Sequence, residues 1–185
     1  LSEISTFVAA FYIGAMVFQF PIGWLSDRMD RRILIVATSA IGFMAALSAV
    51  VVVDVFLIIV GSAFFIGGMS NPLYSLLIAY TNDFLEHDDM ASASGGLLFL
   101  NGLGAISGPL FTGYLMTKMG PEGFFIILAS LSGLLTVYGL YRMTQRGISD
   151  VDTSSYATVV PTASVVAVEI AQEVAIEAAE EMNEI

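Results

Sequence analysis

Residues Gly23–Arg32 read GWLSDRMDRR, and half of them are charged: Asp27, Arg28, Asp30, Arg31 and Arg32. The stretches on either side, Ile4–Leu25 and Ile33–Val53, carry no charge at all. Three more charge-free runs follow, at Val55–Tyr80, Ala91–Met116 and Phe124–Tyr141. A helix needs about 20 residues at 1.5 Å rise to cross a ~30 Å hydrocarbon core. All five runs are near that length or longer, and none alternates apolar with polar residues as a spanning strand does. In lipid the backbone must satisfy its own hydrogen bonds, which favours helices throughout. The decapeptide is therefore read as the loop between two transmembrane helices.

Composition supports this reading. Hydrophobic residues make up 57% of the 185-residue chain and charged residues 12%, against roughly 25% charged in soluble domains. A chain this apolar cannot cover a water-facing surface. No cysteine is present, which excludes disulfides and thiolate metal sites. The net charge of -11 is unevenly placed, because eight of the 17 acidic residues lie beyond Thr144. It describes the tail and does not point to nucleic acid. Residue 1 is Leu, and the first apolar run is too long for the core of a signal peptide. The chain is expected to begin partway through a larger protein.

Lys and Arg set membrane orientation. Arg28, Arg31 and Arg32 follow the first span, Arg142 and Arg146 follow the fifth, and Lys118 alone falls on the opposite side if five spans alternate. The GWLSDRMDRR loop and the tail are expected in the cytoplasm. Residues 1–3, Asp54 and Thr117–Gly123 are expected outside. The loop Thr81–Met90 is then cytoplasmic despite Asp83, Glu86, Asp88 and Asp89, since acidic residues contribute little to topology. Many transporters are repeated helix bundles, and five spans read as a six-span half lacking its first helix.

Several spans carry polar or helix-breaking residues. Pro21 frees a carbonyl near the end of the first span, where a kink is expected. Gln19 beside it either bonds a neighbouring helix or faces a transport path. In the third span Gly67 and Gly68 precede Asn71, Pro72 and Tyr74. Such interrupted helices point to transporter binding sites, although packed glycines at a kink are an equal alternative. In the fourth span Gly104 and Gly108 form a GxxxG pair followed by Pro109, a pattern that lets helices approach closely; Asn101 lies one turn earlier. Gln19, Asn71, Tyr74 and Asn101 are the substrate-path candidates. No Asp, Glu, Lys, Arg or His lies inside any span, so no coupling-ion site is visible here. His87 reads as a solvated loop residue. No nucleophile–base pair, phosphate loop or metal-ligand spacing occurs, so neither an enzyme nor a cofactor is expected.

Beyond residue 143 the chain changes character. Gly147–Thr162 reads as a polar linker. In Ala163–Ile185, Val166, Ile170, Val174, Ala178 and Met182 recur every four residues beside Glu169, Glu173, Glu177 and Glu181. This is an amphipathic acidic stripe, either a solvated tail or a docking helix. Its charge argues against binding anionic lipid. The domains are accordingly a transmembrane bundle, 1–143, and a cytoplasmic tail, 144–185.

The decapeptide resembles the cytoplasmic signature of the major facilitator superfamily, GxLaDrxGrk, through Gly23, Leu25, Asp27, Arg28, Arg31 and Arg32. Asp30 departs from the glycine usual at that place. Gly104, Gly108 and Pro109, with Gly113, resemble the family's GxxxGP run. The resemblance covers about Leu1 to Arg142. It implies an all-α membrane fold, here five transmembrane helices of an incomplete six-helix bundle, corresponding to spans 8–12 of the C-terminal half. The chain looks most like uncharacterised bacterial permeases of the drug- and sugar-efflux-like branch. The resemblance further implies a secondary transporter of a small solute in the bacterial plasma (inner) membrane, partnered by the lipid bilayer and by its own N-terminal half. Asp27 would then face a helix N-terminus of that opposite half. Within this chain Asp27 is expected to meet local partners, Arg31 or Arg32 first. A non-transporting membrane protein with an acidic docking tail is the alternative.

Overall fold

The computed structural model describes residues 2–52, 54–84 and 90–145, together with Ile170 and Val174. Five α-helices occupy the described residues: α1 Ser2–Ser26, α2 Arg31–Val51, α3 Phe56–Asn82, α4 Met90–Met119 and α5 Glu122–Gln145. All five are long and apolar enough to cross a membrane. They match the five charge-free runs and extend past them at most ends, because helix geometry continues into the polar residues that meet the interface. α2, for example, begins at Arg31 rather than Ile33. Asp30 is the cause: its Oδ1 accepts from the Arg32 backbone N–H at 2.9 Å, satisfying one of the orphan donors of the first turn.

That cap also explains why Asp30 stands where glycine is common. Its φ is -56°, so the turn needs no left-handed residue. The only positive φ among the described residues is at Gly120, at 81°. There α4 ends, with the Gly120 N–H donating to the Met116 carbonyl at 2.9 Å. Glycine adopts this conformation without a Cβ penalty, and Pro121 then helps start α5.

The helices pack in a chain of neighbours. α1 lies along α3, α3 along α2, α2 along α5 and α5 along α4, while α1–α2 and α3–α4 touch only slightly. Glycine permits the closest of these crossings. A Cβ on Gly14 would run into the Phe64 carbonyl, and one on Gly67 into the Phe11 carbonyl. The two glycines let α1 and α3 press backbone to backbone, the packing that substitutes for a hydrophobic drive inside lipid. Gly67 and Gly68 thus serve close packing, with Phe18 lying over Gly68. α1 and α3 each run on through their prolines, Pro21 and Pro72, as single helices.

Two larger apolar clusters fill most of the bundle. Ala45, Ala46, Ala49, Ile66, Phe125 and Ala129 form one, and the Ser48–Ser62 hydroxyl pair at 3.0 Å lies at the same end of α2 and α3. Ile22, Leu34, Ile35, Met69 and Leu76 form the second, beneath the charged loop. α4 has no buried residue in its most apolar stretch, and Phe99, Leu103, Ile106, Leu110 and Phe111 are exposed. Such a surface is stable only against lipid or other apolar helices.

Candidate gate and transport path

The charged loop closes one face of the bundle around a single guanidinium. Arg31 is 1% exposed at its side chain. Its Nη1 donates to Asp83 Oδ1 at 2.6 Å, its Nε to Ser26 Oγ at 3.1 Å, and its Nη2 lies 3.9 Å from Asp27 Oδ1. One side chain therefore ties the end of α1, the start of α2 and the end of α3 together. Asp83 is 6% exposed at its side chain and Asp27 44%. The short, buried Asp83 contact is the strong one, since charge-assisted bonds shorten and strengthen as water is excluded. The 3.9 Å contact to exposed Asp27 is weak.

The rest of the motif supports this corner. Gly23 is buried, and Leu25 packs on the cluster of Ile22, Leu34 and Leu76. Arg28 stacks 4.1 Å over the Trp24 ring and donates to the Trp24 carbonyl at 3.2 Å. An Arg over an indole suits the membrane–water interface, where one side is apolar and the other wet. Arg32 Nε lies 3.8 Å from Asp30 Oδ1. The expected local partner of Asp27, Arg31, is found. The principal partner of Arg31 is Asp83, which sequence reading treated only as a loop acid.

Three of the four substrate-path candidates, Asn71, Tyr74 and Asn101, fall on α3 and α4. Tyr74 and Leu97 both pack on Ile78, so α3 meets α4 there. Asn71 is three residues before Tyr74, and Asn101 is four after Leu97, so helical spacing puts each on the same side as its neighbour. One turn from the Ile78–Leu97 contact toward the charged loop, the same spacing gives Asn82 on α3 and Ser94 on α4. Both are buried, and Asn82 Oδ1 and Ser94 Oγ have no hydrogen-bond partner among the described residues. Sequence reading missed these two because hydropathy carries no signal for burial at a helix end. Gln19 lies on α1 in register with buried Ala15 and Ile22 and is itself half-buried. The structure does not join it to the α3–α4 side.

Gly104, Gly108 and Gly113 meet nothing within 4 Å of a would-be Cβ, and Pro109 is exposed. Gly104 and Gly113 stand on opposite sides of α4, so the four residues do not form one face. The described residues hold no group of three or more His, Cys, Asp or Glu able to bind a metal. His87, Glu86, Asp88 and Asp89 lie outside the described residues, as does the tail from Arg146 onward apart from Ile170 and Val174.

Five apolar helices reversing across a bilayer, with a charged corner on one face, define an integral membrane protein of the polytopic α-helical class. The chain belongs to the Major Facilitator Superfamily, whose pattern it matches over residues 1–168. It is 31% identical over 138 residues to "Uncharacterized MFS-type transporter YfkF" of Bacillus subtilis (strain 168), covering 72% of this chain and 34% of that protein. It is 28% identical over 134 residues to "Uncharacterized MFS-type transporter YcaD" of Escherichia coli, strain K12 / DH10B among others, covering 71% and 33%. The chain thus spans about a third of the length of these relatives. No solved structure matches it.

Proposed function

We propose that the chain is the C-terminal part, spans eight to twelve, of a secondary transporter of the drug- and sugar-efflux-like branch. It moves a small solute across a bacterial inner membrane by alternating access, with the charged loop and the tail in the cytoplasm. The observation that carries this reading is the division of labour around Arg31. The buried Asp83 contact fixes the corner of the bundle, while Asp27, with 44% of its side chain exposed, lies 3.9 Å from the same guanidinium. A carboxylate presented this way is suited to a contact that forms and breaks. Against a helix N-terminus of the opposite half it gains about 0.3–1 kcal/mol exposed and up to ~2 when partly buried. Energies of that size bias two near-equal states without trapping either.

The α3–α4 side, with Asn71, Tyr74, Asn101, Asn82 and Ser94, supplies the polar wall of the path. Gly104, Gly108 and Pro109 supply the surface against which the other half slides. The relatives' names support transport as the activity.

The test expresses the full-length protein in cells lacking related permeases and measures accumulation of a panel of dyes, drugs and sugars. At least one solute should change its steady-state level, and Asp27→Asn should abolish the change. A full-length protein that shifts no solute, or an Asp27→Asn protein that transports as wild type, overturns the reading or its latch respectively.

A further inference from the structure

α1 packs on α3 through Gly14 and Phe18. On the other side of the same helix Tyr12, Met16 and Phe20 recur every four residues and are 65%, 73% and 80% exposed. Gln19, half-buried, follows Met16 by three residues and Tyr12 by seven. At 3.6 residues per turn these four side chains share one side of α1, with Gln19 about 10 Å beyond Tyr12 along the axis. Tyr12 is the eleventh of the 25 residues of α1, so its ring stands near the middle of the span.

Neither the Tyr12 hydroxyl nor the Gln19 amide has a hydrogen-bond partner among the described residues. Against hydrocarbon such groups are costly, because lipid tails offer neither donor nor acceptor. A tyrosine that faces lipid belongs at the membrane–water interface. The other exposed tyrosines, Tyr114, Tyr138 and Tyr141, follow that rule and lie within about two turns of the C-terminal ends of α4 and α5. Tyr12 departs from it, so lipid is the wrong neighbour for this face. The face is also uncharged, since no Asp, Glu, Lys, Arg or His falls in any of the five spans. A phenol, a thioether, an amide and a phenyl ring make a mostly apolar wall with two hydrogen-bonding points, the make-up of a small-molecule site. Met16 adds a side chain that adapts to irregular ligands.

We propose that Tyr12, Met16, Gln19 and Phe20 form a second wall of the solute route, and that the part of the solute they meet is uncharged. The class of solute that fits is a neutral compound with an aromatic or apolar body and a carbonyl, hydroxyl or amide group. The body lies against Met16 and Phe20, and its polar group pairs with the Tyr12 hydroxyl or the Gln19 amide. This assignment rests on the transport reading above and adds to it the chemistry of what is carried.

The absence of cysteine from this chain makes the test direct. In the full-length protein in native membranes, with any other cysteine replaced, Tyr12→Cys is compared with Ile41→Cys. Ile41 is also exposed and also eleventh in its helix, but it is apolar. Both are treated with a small water-soluble maleimide, which reacts with the hydrated thiolate. Tyr12→Cys should label roughly tenfold faster than Ile41→Cys, because only the first stands in a wet route. The uncharged aromatic compounds chloramphenicol and coumarin should slow that labelling more than ethidium, a permanent cation, or glucose. Adding Gln19→Leu should weaken their protection roughly fivefold, the worth of one hydrogen bond. A Tyr12→Cys protein that labels as slowly as Ile41→Cys puts the face against lipid or a tightly packed helix and overturns the proposal. Labelling that the uncharged aromatics slow no better than ethidium or glucose overturns the solute class, and protection that Gln19→Leu leaves unchanged overturns the site as drawn. Labelling needs no turnover, so these failures are distinct from that of a full-length protein that moves no solute, which overturns the transport reading instead.

Discussion

Arg31 and Asp83 lie 52 positions apart and meet at 2.6 Å, both almost wholly buried. The contact spans three helices, because Arg31 also holds Ser26 at the end of α1. Breaking a buried pair leaves a desolvated charge behind, which costs more than the pair itself contributes. Asp83→Ala should therefore destabilise the full-length protein by about 3 kcal/mol or more, read as a lower unfolding temperature in detergent. Arg31→Met with Asp83→Leu removes both charges and should recover most of that loss. A double variant as unstable as the single one would show that the corner depends on something other than the pair.

Asp27 should behave in the opposite way. With 44% of its side chain exposed and Arg31 at 3.9 Å, its contact with Arg31 is worth at most ~1 kcal/mol. Asp27→Asn should leave the unfolding temperature close to wild type while transport by the full-length protein falls steeply. The contrast between the two aspartates is the informative measurement. If both variants lose stability equally, Asp27 is a structural residue and has no separate role in switching.

The legible part of this protein is the part that lipid dictates. Five charge-free runs became five helices because a bilayer permits little else. The signature loop was readable because charges in such a chain are few and spaced. Asp83 was hidden for a physical reason: its partner is fixed by how α3 crosses α2, and nothing near Asp83 in sequence encodes that crossing. Asp30 shows the opposite error. Measured against a glycine pattern it stood out as a departure, but its side chain caps α2 and its backbone is ordinary. Gly67 and Gly104 looked alike in sequence, each about five residues before a proline in a span, yet one is pressed against a backbone and a Cβ on the other would touch nothing described.

That difference separates the two glycine sets experimentally. At Gly67 a methyl group meets the Phe11 backbone, which cannot rotate away. Gly67→Ala should push α1 from α3 and cost about 1–3 kcal/mol, the usual penalty of overpacking. At Gly104 a methyl group meets open space, and alanine is the better helix former by about 0.8–1.0 kcal/mol. Gly104→Ala should therefore hold or raise the stability of the five-helix segment. If the face of α4 slides on the opposite half, the same substitution should slow transport by the full-length protein. Gly104→Ala that changes neither stability nor transport would remove this glycine from any interface.

Asn82 and Ser94 give the sharpest test of the path. A buried polar atom without a partner costs about 1–3 kcal/mol, so a purely structural site would shed such a group with gain. Ser94→Ala deletes the orphaned hydroxyl and should raise the unfolding temperature of the full-length protein or leave it unchanged. If the hydroxyl serves a passing solute, the same variant should weaken solute binding, seen as a higher KM with stability intact. Ser94→Thr restores the hydroxyl and should bring KM back toward wild type. Higher stability together with unaltered kinetics for Ser94→Ala would instead place Ser94 off the route, and the polar wall would then end at Tyr74 and Asn101.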